Sequence, residues 1–157
     1  MKRNLVHALS LVFFLAITSC EKSIDSPEID LNNNLLKSSE KYHDLLSKRE
    51  EGSGEFTIEG IKRKSNILTI QVKGGCSVED FHIVWDGSVM FSNPGQVNLV
   101  LYNKSEENCG LEKQFDIHID LNKIVGTLDP KDLIFNVANG SMKQDKSLNP
   151  NGSVTSK

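Results

Sequence analysis

The sequence predicts an all-β protein, an antiparallel β-sandwich of six to seven short strands that is immunoglobulin-like in the loose sense. Two observations carry this prediction. Apolar and polar residues alternate in short runs, which is the pattern of strands with one buried face. Turn-forming residues separate these runs at short intervals. A small β-barrel is the alternative architecture, because it needs the same pattern of strands and turns.

The strands are assigned from the alternating runs. Ile117 and Ile119, for example, occupy alternate positions and are separated by a polar residue. Asp86-Gly87 predicts a tight turn, so a separate short strand is expected directly after it. The predicted strands cover residues 56–61, 68–72, 81–85, 89–91, 97–101, 115–121 and 133–137.

The chain divides into four segments. Residues 1–19 form a leader, 20–54 a tether, 55–140 the β-sandwich domain and 141–157 a tail. Within the tether, apolar residues at helical spacing predict an amphipathic helix over 38–50, and a partly disordered stalk is the alternative. The tail is polar and is predicted to be disordered.

The leader has the features of a secretory signal peptide. Lys2 and Arg3 precede an apolar run over 5–17, which is shorter than the roughly 20 residues that a membrane-spanning helix needs. The run ends in the tetrapeptide ITSC, which resembles the bacterial lipobox. The resemblance implies cleavage before Cys20 and acylation of that residue, with palmitate or similar chains as the membrane anchor. An ordinary signal peptide with an incidental cysteine is the alternative.

Location and charge limit the partners. A lipid anchor places the domain in the bacterial cell envelope, and the outer membrane is favoured because Glu21 and Lys22 follow Cys20, with no Asp there. The formal net charge is −3, and it becomes −5 once the two basic residues of the leader are removed. This balance argues against a nucleic-acid partner, which requires a basic surface. No cofactor is predicted.

The cysteine count predicts one disulfide. The chain has three cysteines, and assigning Cys20 to lipid leaves Cys76 and Cys109 as a pair in an oxidising compartment. The closed loop has 34 residues with both cysteines counted, for which the chain-entropy model gives about 3.8 kcal/mol of stabilisation. Metal binding by the same pair is the alternative, although zinc prefers four closely spaced ligands.

A set of residues around these cysteines resembles a known pattern. Gly74-Gly75-Cys76 is followed at the fifth place by Phe81, and Cys109 comes after an aliphatic strand. This resembles uncharacterised lipoproteins of Bacteroidota, including NigD-like ones, over roughly residues 55–140. Those proteins often have His two residues before the Phe, where this chain has Glu79. The resemblance implies a secreted β-rich domain without an established activity.

Candidate binding residues lie beside the two cysteines and on one strand. Acidic loops and a tyrosine out of phase with the core suit an envelope protein or a glycan as partner. These candidates are Glu79, Asp80, Tyr102, Glu106 and Glu107.

Two histidines offer a different chemistry. His82 and His118 fall on the polar phase of two predicted strands. If the strands are neighbours, the two imidazoles could bind a divalent metal and serve a small metal-dependent hydrolase. A solvated sheet face is the simpler interpretation.

The expected function is therefore a membrane-anchored, non-enzymatic module that binds an envelope protein or a glycan. The sequence contains no nucleophile motif such as GxSxG, which favours binding over catalysis. A structural surface or fimbrial component is a further alternative, which would exchange or add a strand between protomers.

Overall fold

The structure is a computed structural model that describes residues 29–32, 34–49, 55–105, 107 and 109–157. The predicted leader and Cys20 lie outside the described residues. The described residues form two α-helices, α1 (Ser39–Ser47) and α2 (Asn122–Val125). The strands are β1 (Ile29–Asn32), β2 (Leu35–Lys37), β3 (Phe56–Lys64), β4 (Ile67–Gly74), β5 (Phe81–Met90), β6 (Gly95–Asn103), β7 (Gln114–Asp120), β8 (Leu133–Asn139), β9 (Asp145–Leu148) and β10 (Val154–Ser156).

The described strands form two sheets. The large sheet has the order β1-β2-β5-β6-β8-β9-β10, and the small sheet has the order β3-β4-β7. Neighbouring strands are antiparallel except for two pairs in the large sheet, β2 with β5 and β6 with β8. The predicted β-sandwich is confirmed, and β3 to β8 are the strands expected between residues 55 and 140.

Three local predictions need correction. The tail over 141–157 is not disordered, because β9 and β10 within it extend the large sheet beside β8. The tether contributes β1 and β2 to the opposite side of the same sheet. Asp86-Gly87 does not form a turn: β5 continues through it, and the pairing with β6 shifts register between Trp85 and Val89. Gly87 has a φ of +92°, a conformation that serves a β-bulge as well as a turn.

The core lies between the inner faces of the two sheets. Phe56 of β3 and Phe81 of β5 meet edge to face, with ring centroids 5.1 Å apart, and both side chains are fully buried. The predicted core positions Phe81, Ile83 and Trp85 all face inward. The Trp85 indole N–H donates to the Ser88 carbonyl at 2.9 Å, which satisfies the polar atom of this buried ring.

Two chain crossings between the sheets lie at the same end of the sandwich. One crossing leads from β4 to β5 and contains Cys76, and the other leads from β6 to β7 and contains Cys109. Their sulfur atoms form the predicted disulfide, with the two Cα atoms 5.2 Å apart. The bond therefore joins both crossings and closes this end of the core.

The Gly-Gly pair before Cys76 has a steric cause. Gly74 and Gly75 have φ values of +110° and +85°, which other residues rarely adopt. A Cβ on Gly75 would come within 2.8 Å of the Phe81 ring. Only glycine lets the chain turn here while Phe81 fills the core.

Side-chain amides close the edge of the small sheet at β3. The Asn139 amide donates to the Phe56 carbonyl at 2.8 Å, and the Gln144 side-chain oxygen accepts from the Ile58 N–H at 2.8 Å. Asn139 is fully buried and lies at the end of β8. These contacts join the two sheets and occupy main-chain groups that would otherwise offer an open edge.

Replacing Gly75 with alanine should destabilise the protein by roughly 2–4 kcal/mol, because it adds a backbone penalty to a clash with Phe81. Gly110→Ala is the matched control. Its φ is +72°, but nothing lies within 4 Å of the added Cβ, so about 1 kcal/mol is expected. Urea denaturation measures both, and equal losses would contradict the packing argument.

Asn139→Ala should lower the free energy of unfolding by roughly 1–3 kcal/mol, because it leaves the Phe56 carbonyl buried without a donor. Amide hydrogen exchange should also become faster along β3. Asn151→Ala on the exposed β9–β10 turn is the control, with an expected change of about 0.5 kcal/mol or less. If Asn139→Ala left the free energy of unfolding unchanged, the Asn139 amide would not be a stabilising link between the sheets.

Candidate functional site

The outer face of the large sheet is partly covered by α1. Val84, Val100 and Ala138 form a small apolar patch on this face. The side chains packed against it from α1 are Tyr42, Leu45 and Leu46. The tether thus supplies a helix as predicted, but the helix belongs to the folded domain.

Local sequence explains where α1 begins and how it is held. Ser38 is the N-cap, and its hydroxyl accepts the Lys41 N–H at 3.2 Å. The Ser38 N–H in turn donates to the Trp85 carbonyl at 3.0 Å, so the start of the helix is fixed to β5. After the helix, the Arg49 guanidinium binds the Asp145 carboxylate of β9. Both ends of the helical segment are therefore attached to the sheet.

Beside α1 the outer face becomes polar. Asn98 of β6 pairs in register with Asn136 of β8, which pairs with Ser147 of β9. The Asn136 amide donates to the Asn98 side-chain oxygen at 3.0 Å, and the Ser147 hydroxyl donates to the Asn136 side-chain oxygen at 2.7 Å. Asp86 of β5 extends this polar row, because it accepts from the Asn98 amide at 3.2 Å.

Asn98, Asn136 and Ser147 of the polar row form the floor of a cleft of about 290 Å³. Tyr42, Leu46 and Arg49 line its wall, and Asp145, the ion-pair partner of Arg49, and Lys157 complete the lining. Pockets that hold small molecules usually start near this size, and a few fixed polar groups give them specificity. Each amide of the floor is already oriented by a neighbour, so little ordering is needed when a ligand binds.

The charged groups of the cleft compensate each other. Arg49 and Asp145 form an ion pair in which the arginine side chain is only 16% exposed. The Arg49 Nε–H is buried and has no acceptor among the described residues. A buried donor without a partner is unfavourable, so an oxygen atom supplied by a ligand would satisfy it.

Tyr42 is held in its protonated form. Burial raises the pKa of its phenol above the usual value of 10.0, and the negative charges of Asp86 and Asp145 raise it further, while Arg49 acts in the opposite direction. The hydroxyl therefore remains a hydrogen-bond donor at the edge of the cleft throughout the physiological pH range.

The predicted acidic residues lie at the disulfide end, away from the cleft. Glu79 and Asp80 belong to a short 3₁₀ helix, Val78–Asp80, directly before β5. The Ser77 hydroxyl donates to the Glu79 carboxylate, and this hydrogen bond is the main reason that the pKa of Glu79 is lowered. Glu107 is exposed next to Cys109, and Glu106 lies outside the described residues. Their role in binding stays a prediction.

Tyr102 is not a freely exposed aromatic. It lies on the outer face of β6 and packs against the apolar patch below α1. The Lys41 ammonium group lies over its ring, 5.1 Å from the centroid, and His82 on β5 is its cross-strand neighbour. Side chains of α1 lie beside the Tyr102 ring, which explains why Tyr102 is partly buried.

The two histidines do not share a sheet face, so that prediction is wrong. His82 belongs to the large sheet, and His118 belongs to the small sheet, where Thr69 of β4 is its cross-strand partner. Both lie on outer faces, because Phe81, Ile83, Ile117 and Ile119 occupy the inner positions beside them. The sandwich therefore separates the two imidazoles. The physical reason is that β7 pairs with β4 and has no contact with β5 through hydrogen bonds.

One acidic and sulfur-rich cluster is found among the described residues, formed by Cys76, Glu107 and Cys109. Its two sulfur atoms are bonded to each other, and disulfide sulfurs lack the thiolate that ligates metal ions. The cluster is therefore part of the structural disulfide.

The cleft was not predicted from the sequence. Its floor depends on the parallel pairing of β6 with β8, and its lining includes Asp145, Ser147 and Lys157 from the segment predicted as a disordered tail. The sequence did contain one indication of the cleft, in the type of residue on the outer face. Gln96, Asn98 and Asn136 are neutral amides at outward positions of two strands where charged residues would be expected on a solvated face.

No family model matches the chain, and searches of curated proteins and of solved structures find no match either. No helix within the described residues has the length and apolar character needed to cross a bilayer.

The pKa of Tyr42 can be tested by ultraviolet titration of the phenolate in a Tyr102→Phe variant, where Tyr42 is the remaining tyrosine. We expect a midpoint above 10. The Tyr42 phenol then loses its proton at a higher pH in the folded state than in the unfolded state. Its contribution to the free energy of unfolding is therefore fully present below pH 10 and is lost as the pH rises through the pKa of the folded state. A Tyr42→Phe variant should not show this loss, and a midpoint at or below 10 would contradict the assigned environment.

Proposed function

We propose that this chain is a lipid-anchored, non-enzymatic binding module of the bacterial cell envelope that holds a glycan in the cleft beside α1. Lipidation at Cys20 gives the membrane attachment, with the outer membrane as the favoured location. The observation that carries the proposal is the polar row on the floor of the cleft. The residues of the row that line the cleft carry neutral, oriented amide and hydroxyl groups, which suit a ligand that is rich in hydroxyl groups.

The chemistry of the floor supports a carbohydrate. Asparagine and glutamine side chains both donate and accept hydrogen bonds, which matches the sugar hydroxyl group. The Asn136 amide donates to the side-chain oxygens of both Gln96 and Asn98, at 3.1 and 3.0 Å, so three such groups form one connected cluster. The Ser147 hydroxyl joins this cluster by donating to the Asn136 side-chain oxygen at 2.7 Å.

The walls support the same class of ligand. The Tyr42 ring offers an apolar surface and a protonated hydroxyl, and the size of the cleft suits one or two sugar rings. Arg49 and Asp145 form an ion pair, so these two side chains present little net charge to a neutral glycan.

The test begins with a broad glycan array, using protein from Ser23 onward, followed by titration calorimetry with the best ligand. We expect Asn98→Ala and Asn136→Ala each to weaken binding by about tenfold, because each removes a hydrogen-bonding group worth roughly 1–1.5 kcal/mol. Asn151→Ala, outside the cleft, should leave the affinity within about twofold.

Circular dichroism and thermal unfolding must first show that the variants remain folded. No glycan bound by the array would contradict the proposal. An affinity that is equally sensitive to all three substitutions would place the ligand elsewhere.

A further inference from the structure

Four of the seven large apolar side chains that are exposed among the described residues lie at one end of the sandwich. The β3–β4 turn, the β5–β6 hairpin and the loop after α2 all lie at the end opposite the disulfide. We call this the Phe91 end. Arg63, near the end of β3, donates to the Pro130 carbonyl at 2.5 Å, which fixes two of these connections to each other. The large apolar residues exposed here are Ile67, Met90, Phe91 and Leu128.

The β5–β6 hairpin is the most prominent of these features. The Phe91 side chain is 94% exposed, and Met90 beside it is 42% exposed. No charged residue occurs between Asp86 and Lys104, so the part of β5 after Asp86, the connection and β6 are uncharged. Fully exposed phenylalanine next to exposed methionine is unfavourable in water, because both present apolar surface.

The strand directions place the start of β1 towards the same end. β5 runs from the disulfide end to the Phe91 end, and β2 is parallel to it. β1 is antiparallel to β2, so β1 starts towards the Phe91 end. Ile29, the first residue of β1, is therefore the residue of β1 nearest that end.

The distances are compatible with one membrane surface. Ile29 is level with Lys37 and Trp85 in the pairing of β1, β2 and β5. From Trp85 to Met90, β5 advances by about 16 Å at its usual rise per residue. The nine steps from Cys20 to Ile29 reach up to about 30 Å when extended. An anchor at Cys20 can therefore lie in the plane that the hairpin tip reaches.

We propose that Phe91, with Met90, inserts into the bilayer interface and forms a second membrane contact beside the lipid anchor. The occupant of this surface is the lipid bilayer itself. The inference rests on the proposed anchor at Cys20 for its geometry. Uncharged hairpin tips with an aromatic side chain suit the interface, because the ring enters the acyl boundary while main-chain groups remain among the headgroups.

Contact at this end fixes the orientation of the domain. The strands would stand away from the membrane, and the cleft beside α1 would open sideways, above the lipid surface. The disulfide end, with Glu79 and Glu107, would face away from the membrane. A single flexible attachment would not set this orientation.

The test uses the chain from Cys20 onward, which contains every described residue. Because Cys76 and Cys109 are bonded to each other, Cys20 is the free thiol and can be coupled to a maleimide lipid in vesicles of phosphatidylethanolamine and phosphatidylglycerol. A Phe91→Trp variant then reports insertion through quenching by brominated acyl chains. Val78→Trp, an exposed apolar position at the disulfide end, is the matched control.

We expect the Phe91→Trp variant to lose most of its added emission to brominated lipid and to shift to shorter wavelength, while Val78→Trp does neither. The buried Trp85 gives the background, measured in the unsubstituted chain. Unquenched emission at position 91, or equal quenching at position 78, would overturn the inference. Mass spectrometry of Cys20 from the native envelope tests the lipid anchor separately, so the two failures can be told apart.

Discussion

The burial of two apolar sheet faces against each other is the constraint on which the rest of the structure depends. Residues at alternate strand positions enter this core, and the intervening residues must point outward. The same alternation that buries Leu99 and Val137 therefore turns Asn98 and Asn136 to the outer face. The candidate site is a direct consequence of core packing: its floor is the polar phase of strands whose apolar phase holds the protein together.

Two further features turn that floor into a cleft. The helix α1 covers the apolar patch of the outer face and stops beside the polar row. The ion pair between Arg49 and Asp145 then connects the helical segment to β9. The contact combines residues 96 positions apart in the chain. The wall of the cleft thus depends on segments from both ends of the described chain, while its floor combines the central strands β6 and β8 with Ser147 of β9.

The sequence was informative where the signal is local. The alternation in 55–140 predicted β3 to β8, the inward side chains from Phe81 to Trp85, and a sandwich. Cysteine counting predicted the disulfide, and the Gly-Gly pair before Cys76 proved to be required by a positive φ and by the Phe81 ring. Each of these features follows from residues close in sequence or from a simple pairing rule.

Features that depend on strand order were not predictable in the same way. Nothing local indicates that β7 pairs with β4, which separates His82 from His118. The parallel pairing of β6 with β8 is equally non-local, and it creates the polar row. The segment over 141–157 looked disordered because its polar residues have no strong alternation. It forms strands because β8 supplies a paired edge for β9, with Leu148 completing the core.

The most direct test of the account is a nuclear magnetic resonance titration with a glycan that the protein binds, observing the side-chain amide signals of asparagine and glutamine. If the cleft is the site, the signals of Asn98 and Asn136 should shift in a saturable manner, and those of the exposed Asn151 should not. Shifts confined to residues around the disulfide, such as Glu79 and Glu107, would contradict the account and move the binding site to the other end of the domain.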